Sequence, residues 1–145
     1  MWLTFAVASA VVTAVFVTIT KAGLGKVDPS ASLAVQATVA VLVAWGATFV
    51  RGKAAELGDL AAKDWGLLLL SGALTGAASL LLFLALKDGP SSRVTPVDRL
   101  SFVFAAVLAM LFLGEKLTWQ VGLGLALMTG GAVLIALSGG DDKPE

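Results

Sequence analysis

The sequence predicts an all-α integral membrane protein with five transmembrane helices. Hydrophobic residues make up 58% of the 145 residues and charged residues 14%, well below the roughly 25% charged content usual for soluble domains. Five apolar runs of about 20 residues, the length that spans a bilayer as a helix, are separated by short segments that hold most of the charges. The runs lack the alternating pattern of barrel strands, so they indicate helices.

Each predicted span is bounded by a turn signal or a polar segment. The first ends before Lys21, and the second starts after Pro29. The third follows the most polar connection, the fourth follows an Asp-Gly-Pro turn, and the fifth follows a Gly-Glu-Lys turn. We therefore predict a single transmembrane domain over residues 1–138 and a short acidic tail. The predicted spans and tail are residues 2–20, 31–50, 65–86, 94–113, 117–138 and 139–145.

Lysine and arginine are spread almost evenly over the two sides that five spans create. The side of the N-terminus has four, and the opposite side has five, or six with Arg99. The positive-inside rule needs an asymmetry to orient a protein. A small bias or a partner could fix one orientation; alternatively, the chain inserts both ways and forms an antiparallel homodimer, which would supply the inverted repeat of many transporters. The residues counted are Arg51, Lys53, Lys63 and Lys116 against Lys21, Lys26, Lys87, Arg93 and Lys143.

Small residues recur at intervals of four in two spans, a pattern that permits close helix packing in lipid. Gly122, Ala126 and Gly130 form such a stripe in the fifth span. This stripe either packs against another helix of the same protomer or forms the contact surface of a dimer. In the third span Gly72 and Gly76 accompany a polar stripe at the same interval. The polar stripe consists of Ser71, Thr75 and Ser79.

Asp98 is the one acidic residue within the predicted spans, and two helix registers are compatible with its surroundings. In one, Thr95 is an N-cap, Pro96 the first helical residue and Asp98 the third, so the carboxylate is structural. In the other, the helix begins near Pro90 and Pro96 kinks it, so Asp98 projects into the bundle or a cavity. Lys21 and Arg93 are the candidate charge partners.

The composition also excludes several kinds of chemistry. The chain has no cysteine and no histidine, which removes disulfides, thiol nucleophiles and imidazole chemistry. Ten basic and ten acidic residues cancel, so no excess positive charge indicates nucleic-acid binding. We find no pattern typical of an enzyme, a metal site or a cofactor site. The expected partners are the lipid bilayer, a second copy of the chain and a small molecule of unknown identity.

Two segments resemble the EamA-like proteins of the drug/metabolite transporter superfamily. One is S-S-R-V-T-P-V-D-R-L-S over residues 91–101. The other, more specific, is L-F-L-G-E-K-L-T-W-Q over residues 111–120, followed by Gly122 and by G-G-A-V-L at 130–134. The similarity covers nearly the whole chain in a half-size, five-helix form. It differs at Leu84 and Ala37, where arginine is common in the family.

The resemblance implies a multi-pass protein of the bacterial inner membrane that transports small organic solutes or metabolites. It implies an exporter that works by alternating access, and it favours the antiparallel dimer. Within that scheme, we predict that Asp98 is the coupling or gating carboxylate, with Lys21 and Arg99 as charge partners. Gln36 and the Ser71, Thr75 and Ser79 stripe are predicted to line the path. A dual-topology channel and a non-transporting accessory subunit remain the alternatives.

Overall fold

A computed structural model describes residues 2–116 and 118–138, and over these ranges the chain is all-helical. Five segments are long and apolar enough to cross a membrane, which confirms the predicted class and number of spans. Leu117, the predicted start of the fifth span, and the predicted acidic tail, including Lys143, lie outside the described residues. The helices are α1 (Trp2–Leu24), α2 (Pro29–Val50), α3 (Ala62–Asp88), α4 (Ser91–Asp98), α5 (Ser101–Leu113) and α6 (Trp119–Leu137), with a 3₁₀ helix at Ala54–Asp59.

The chain divides into two compact units, a first unit up to Asp88 and a second unit from Gly89 onward. The prediction of one transmembrane domain over residues 1–138 stays a prediction. In the first unit α3 packs against both α1 and α2. In the second unit α4 packs against α6.

Local sequence signals set the ends of α2. Asp28 is its N-cap and accepts a hydrogen bond from the Ser30 backbone N–H at 2.9 Å, while Pro29 occupies the first turn, where a missing N–H costs nothing. At the other end Gly52 has a φ of +66°. The Gly52 and Lys53 N–H groups bond back to the Phe49 and Thr48 carbonyls, each at 3.0 Å. This is a Schellman ending, and it turns the chain out of α2.

The buried residues of the first unit lie at one end of it. Leu24 closes α1, Pro29 opens α2, and Leu86 lies in the last turn of α3, all of them buried. One turn earlier, the ring of Phe83 is 1% exposed and lies 6.2 Å from the ring of Phe16. Thus the C-terminal ends of α1 and α3 and the N-terminal end of α2 form a small core.

Outside that core, the spans are largely uncovered. In each described span, at most 11% of the most apolar 18-residue stretch is buried inside the protein. Glycines of α3 and α6 are equally open: a Cβ added at Gly72, Gly76 or Gly130 would meet no side chain or neighbouring helix within 4 Å among the described residues. These apolar faces suit a lipid environment or a partner surface.

Two turns define the second unit. The predicted Gly-Glu-Lys turn begins at Gly114, which ends α5 in the left-handed conformation at a φ of +69°. After it, Thr118 is the N-cap of α6 and accepts from the Val121 N–H at 3.4 Å. The other turn lies at Arg99 and Leu100, between α4 and α5, where the backbone stays right-handed helical and the Leu100 N–H donates to the Val97 carbonyl at 3.0 Å.

Candidate functional site

Polar groups lie near the membrane-spanning segments at two places, one in each unit. The first is the core end of the first unit, where Lys21, Thr20 and Gln36 are found. The second is the break between α4 and α5 in the second unit, where Asp98 and Arg99 are found.

The Lys21 ammonium donates a hydrogen bond to the Leu86 carbonyl of α3. Leu86 lies in the last turn of that helix, where carbonyls have no intrahelical donor and a positive charge is favoured. The half-buried lysine therefore joins the end of α1 to the end of α3. The sequence predicts Lys21 as a charge partner of Asp98. In the first unit Lys21 binds a carbonyl, and the pairing with Asp98 stays a prediction.

Gln36 and Thr20 form a polar contact between α1 and α2. The Gln36 Nε2 donates to the Thr20 Oγ1 at 3.4 Å, and Thr20 is 4% exposed. Gln36 follows the start of α2 by two turns, about 10 Å into the span. Its Oε1 is buried and has no hydrogen-bond partner among the described residues. Since a threonine hydroxyl both donates and accepts, either orientation of the amide leaves one polar atom unsatisfied.

An open pocket of about 330 Å³ lies at the same end of the first unit. This volume lies at the lower end of the range of ligand sites, about 300–1,000 Å³. Two cationic side chains and one carboxylate take part in its lining, which gives it a mixed-charge wall. The lining residues are Lys21, Leu24, Gly25, Lys87 and Asp88.

Asp28 is a charged residue of this end that sequence reasoning missed. The Ser30 hydroxyl and backbone N–H both donate to its carboxylate. These bonds, with a smaller contribution from the nearby Lys87 charge, lower the pKa of Asp28 below its ordinary value of 3.8, although partial desolvation acts in the opposite direction. The signal was available, because an aspartate directly before a proline and a serine is typical of a helix N-cap.

The polar stripe of α3 is on the surface of the described chain. Ser71 and Thr75 are exposed and Ser79 is half-buried. The Thr75 hydroxyl donates to the Ser71 carbonyl at 2.8 Å, as hydroxyls within helices commonly do. The predicted role of this stripe in lining a path stays a prediction.

The structure has the second of the two registers considered for Asp98. The helix begins at Ser91 with Pro90 as its N-cap, Pro96 lies inside it and Asp98 is its last residue. Thr95 is therefore a helical residue, and the capping-box interpretation is wrong. Packing of α4 against α6 explains the earlier start, since tertiary contacts stabilise helical turns that local propensity alone would not.

Asp98 and Arg99 do not neutralise each other. The Arg99 guanidinium lies 5.4 Å from the centre of the Phe102 ring, a cation–π distance. The half-buried Asp98 carboxylate forms no hydrogen bond or ion pair within residues 2–116 and 118–138. Arg93, the other predicted partner, is half-buried in the first turn of α4. Among the described residues of the second unit, the Asp98 carboxylate thus has no ion-paired counter-charge.

The small-residue stripe of α6 is only partly used for packing. Gly122 is half-buried, while Ala126 and Gly130 are exposed. The buried residue of α6 is Ala132, on another face of the helix. The role of the stripe as a dimer seam stays a prediction.

Comparisons with known proteins agree on one kind of protein. The family model described as the EamA-like transporter family matches residues 1–137. A relative from Sinorhizobium sp., named an uncharacterized transporter in cobO 3'region, is 35% identical over 136 residues, covering 94% of each chain. No solved structure matches.

Two further relatives are matched over only part of their length. A probable terminal-alkyne amino-acid exporter of Streptantibioticus cattleyicolor is 33% identical over 120 residues, which is 81% of this chain and 38% of the exporter. An uncharacterized protein of Methanocaldococcus jannaschii is 34% identical over 70 residues, 48% of this chain and 51% of that protein. The chain therefore spans between a third and about half of the length of these two relatives.

Proposed function

The chain belongs to the EamA-like transporter family, a family of multi-pass membrane proteins, and we propose that it exports small organic solutes by alternating access between two antiparallel copies. Membership supports a membrane transporter and a small-molecule substrate. The direction of transport, the mechanism, the pairing and the bacterial inner membrane as its location are parts of the proposal.

The low burial of the described spans supports the proposed pairing. Within the described residues, no span has more than 11% of its most apolar 18-residue stretch buried, so neither unit by itself encloses a solute path. Each unit leaves small-residue faces open, on α3 in the first and on α6 in the second. A second, inverted copy would cover such faces and create the internal symmetry on which many transporters are built.

The polar groups of the two units are assigned to different steps. The pocket lined by Lys21, Lys87 and Asp88 admits the solute, and the unsatisfied amide of Gln36 contacts it about 10 Å inside the span. Asp98 is the coupling or gating carboxylate, because ionisable groups at that depth mark ion or substrate pathways. Further polar groups line the path or balance charge along it: Arg93, Arg99, Ser71, Thr75 and Ser79.

The relative named as a probable amino-acid exporter supports export and a solute of small-metabolite size. This chain aligns with only 38% of that relative. The exporter is therefore long enough to contain a second region similar in size to this whole chain. In a protein made of this chain alone, a second copy would provide that region.

The pairing can be tested by the orientation of the chain in the membrane. The sequence contains no cysteine, so single cysteines introduced by Lys53→Cys or Ser138→Cys can be labelled in intact and in opened cells. An antiparallel pair predicts that each site is labelled from outside in about half of the molecules. If each site is labelled from one side only, and the two sites from opposite sides, the antiparallel arrangement is wrong.

Transport itself is tested with purified protein in proteoliposomes loaded with radiolabelled amino acids and organic acids. Saturable, solute-selective efflux that requires the protein supports the transporter. Electrical currents far above transporter turnover would instead indicate the channel. Absence of any flux over the whole set of solutes would favour the accessory subunit.

A further inference from the structure

The open pocket of the first unit lies at the level of the lipid headgroups. Its lining includes Leu24 and Gly25, where α1 ends, and Lys87 and Asp88, where α3 ends. Both helices are long and apolar enough to cross the membrane, so their last residues lie near its surface. A phospholipid of the surrounding bilayer can therefore approach the pocket.

The charges around the pocket are balanced. Lys21 binds the Leu86 carbonyl, which has no net charge, so the positive charge of Lys21 still acts on the pocket. Lys87 and Asp88 add one charge of each sign to the lining. The charge of Lys87 also helps to lower the pKa of Asp28, just before α2. Two ammonium groups and two carboxylates thus lie at this end, and they suit a ligand that carries both an anionic and a cationic group.

An uncovered apolar stripe runs from this pocket along α3. Three leucines lie on the helix face that carries Asp88, because their distances from it in sequence are near multiples of the 3.6-residue turn. They are Leu84, Leu81 and Leu74, which are exposed by 43%, 67% and 61%. From Asp88 to Leu74 the stripe is about 21 Å long, longer than the roughly 15 Å of hydrocarbon in one leaflet. It can therefore accompany an acyl chain.

The glycines of α3 lie on a different face from this leucine stripe. Gly76 and Gly72 are displaced from Asp88 by about 120° and 160° around the helix. A second copy packed on these glycines would leave the leucine stripe in contact with lipid. The two faces of α3 therefore have different expected occupants.

We propose that the pocket binds the headgroup of phosphatidylethanolamine, with an acyl chain along the leucine stripe. The Lys21 and Lys87 ammonium groups attract the phosphate, and the Asp88 carboxylate attracts the primary ammonium of the lipid. Asp88 repels a headgroup that carries only negative charge, and the quaternary ammonium of phosphatidylcholine has no N–H to donate. This lipid site goes beyond the proposed function; one consequence rests on it, namely that lipid and solute compete for the pocket.

Lipid binding is measured separately from transport. Full-length protein in detergent micelles is titrated with phosphatidylethanolamine, phosphatidylglycerol or phosphatidylcholine of identical acyl chains, and bound lipids are counted by native mass spectrometry. We expect the first phosphatidylethanolamine to bind about threefold more tightly than either of the other lipids, because it alone offers an ammonium donor to a carboxylate. Equal affinities for the three lipids would overturn the proposal.

Variants at the exposed end of α3 separate the two charges. Lys87→Gln should weaken binding of all three lipids by about fivefold, because each has a phosphate. Asp88→Asn should weaken the binding of phosphatidylethanolamine alone, by about threefold. The matched controls are Lys63→Gln and Asp64→Asn, an equally exposed Lys-Asp pair in the first turn of α3. These controls should bind like wild type. Loss of the preference in the controls, or its retention in Asp88→Asn, would overturn the proposal.

A headgroup without acyl chains distinguishes a lipid from a soluble zwitterion. Glycerophosphoethanolamine carries the same charges but gains nothing from the leucine stripe, so it should displace the lipid only weakly. Displacement at equal concentration would make the pocket a site for soluble zwitterions and overturn the lipid proposal. Lipid binding without solute flux would contradict the proposed function and leave this site standing, whereas flux without a preference for phosphatidylethanolamine would do the reverse.

Discussion

The two units differ in the surroundings of a charged side chain near a helix end. In the first, the Lys21 ammonium meets the carbonyl end of α3, which has the opposite partial charge. In the second, the Asp98 carboxylate lies at the carbonyl end of its own helix, which has the same sign, and the described chain gives it no partner. The contrast teaches that one charge contributes to the packing of its unit, whereas the other has no partner among the described residues of its unit.

The two units also differ in how closely their phenylalanines are packed. The largest expected effect on the free energy of unfolding is therefore at the core of the first unit. Phe83 is 1% exposed in the first unit, while Phe104 of α5 is 66% exposed. Phe83→Ala should lower the free energy of unfolding by about 3–5 kcal/mol, because it empties a packed site. Phe104→Ala is the matched control and should change it little. Unfolding in detergent–lipid micelles measures both; equal losses would mean that the two units are packed alike.

Removing the Lys21 ammonium tests the satisfied charge. Lys21→Met keeps the length of the side chain but leaves the Leu86 carbonyl unpaired, which should cost about 1–3 kcal/mol in the same unfolding experiment. Lys26→Met, in the exposed connection between α1 and α2, should cost almost nothing. If the two variants unfold alike, the Lys21–Leu86 contact does not stabilise the first unit.

Removing the Asp98 charge tests the carboxylate that has no partner among the described residues. The expected change in the free energy of unfolding has the opposite sign to that of Lys21→Met. Asp98→Asn should raise stability by about 0.3–1 kcal/mol, because it removes a negative charge from the negative end of α4. Asp64→Asn provides the opposite control, since Asp64 lies in the first turn of α3, where a carboxylate is favourable. Destabilisation by Asp98→Asn would indicate a counter-charge that this description of the second unit lacks.

The smallest effect concerns Asp28 and pH. Its folded-state pKa lies below its ordinary value of 3.8, so its contribution to stability is present above that value and is lost as pH falls through the lowered pKa. Asp28→Asn keeps a good N-cap but cannot titrate. Thermal unfolding followed from pH 6 to pH 3 should therefore show a slightly smaller loss of stability for this variant. An identical pH dependence would mean that Asp28 contributes nothing in acid.

The membrane spans could be read from the sequence because they depend on local composition. Apolar runs of about 20 residues set the five spans, and the structure places most of their ends within a few residues of the prediction. The Gly114 turn and the end of α2 have equally local causes, in glycines that adopt left-handed conformations.

The candidate site was less predictable, because its geometry depends on contacts between helices. Pro96 was compatible with two registers, and the choice follows the packing of α4 on α6 rather than the residues near Thr95. Lys21 binds a backbone carbonyl, a group that every residue possesses and that no sequence pattern marks. Gln36 was chosen for its polarity, but its unsatisfied oxygen is visible only once Thr20 lies beside it.

The one-ended core of the first unit has a mechanical consequence. Because buried contacts tie α1, α2 and α3 together near Leu24, Pro29 and Leu86, that end can act as a fulcrum while the far ends swing. A tilt of about 5° about this fulcrum would displace the far end of a 23-residue helix such as α1 by roughly 3 Å, since it is about 34 Å long. A small rotation at the tethered end would therefore displace the uncovered ends of these helices by several ångströms.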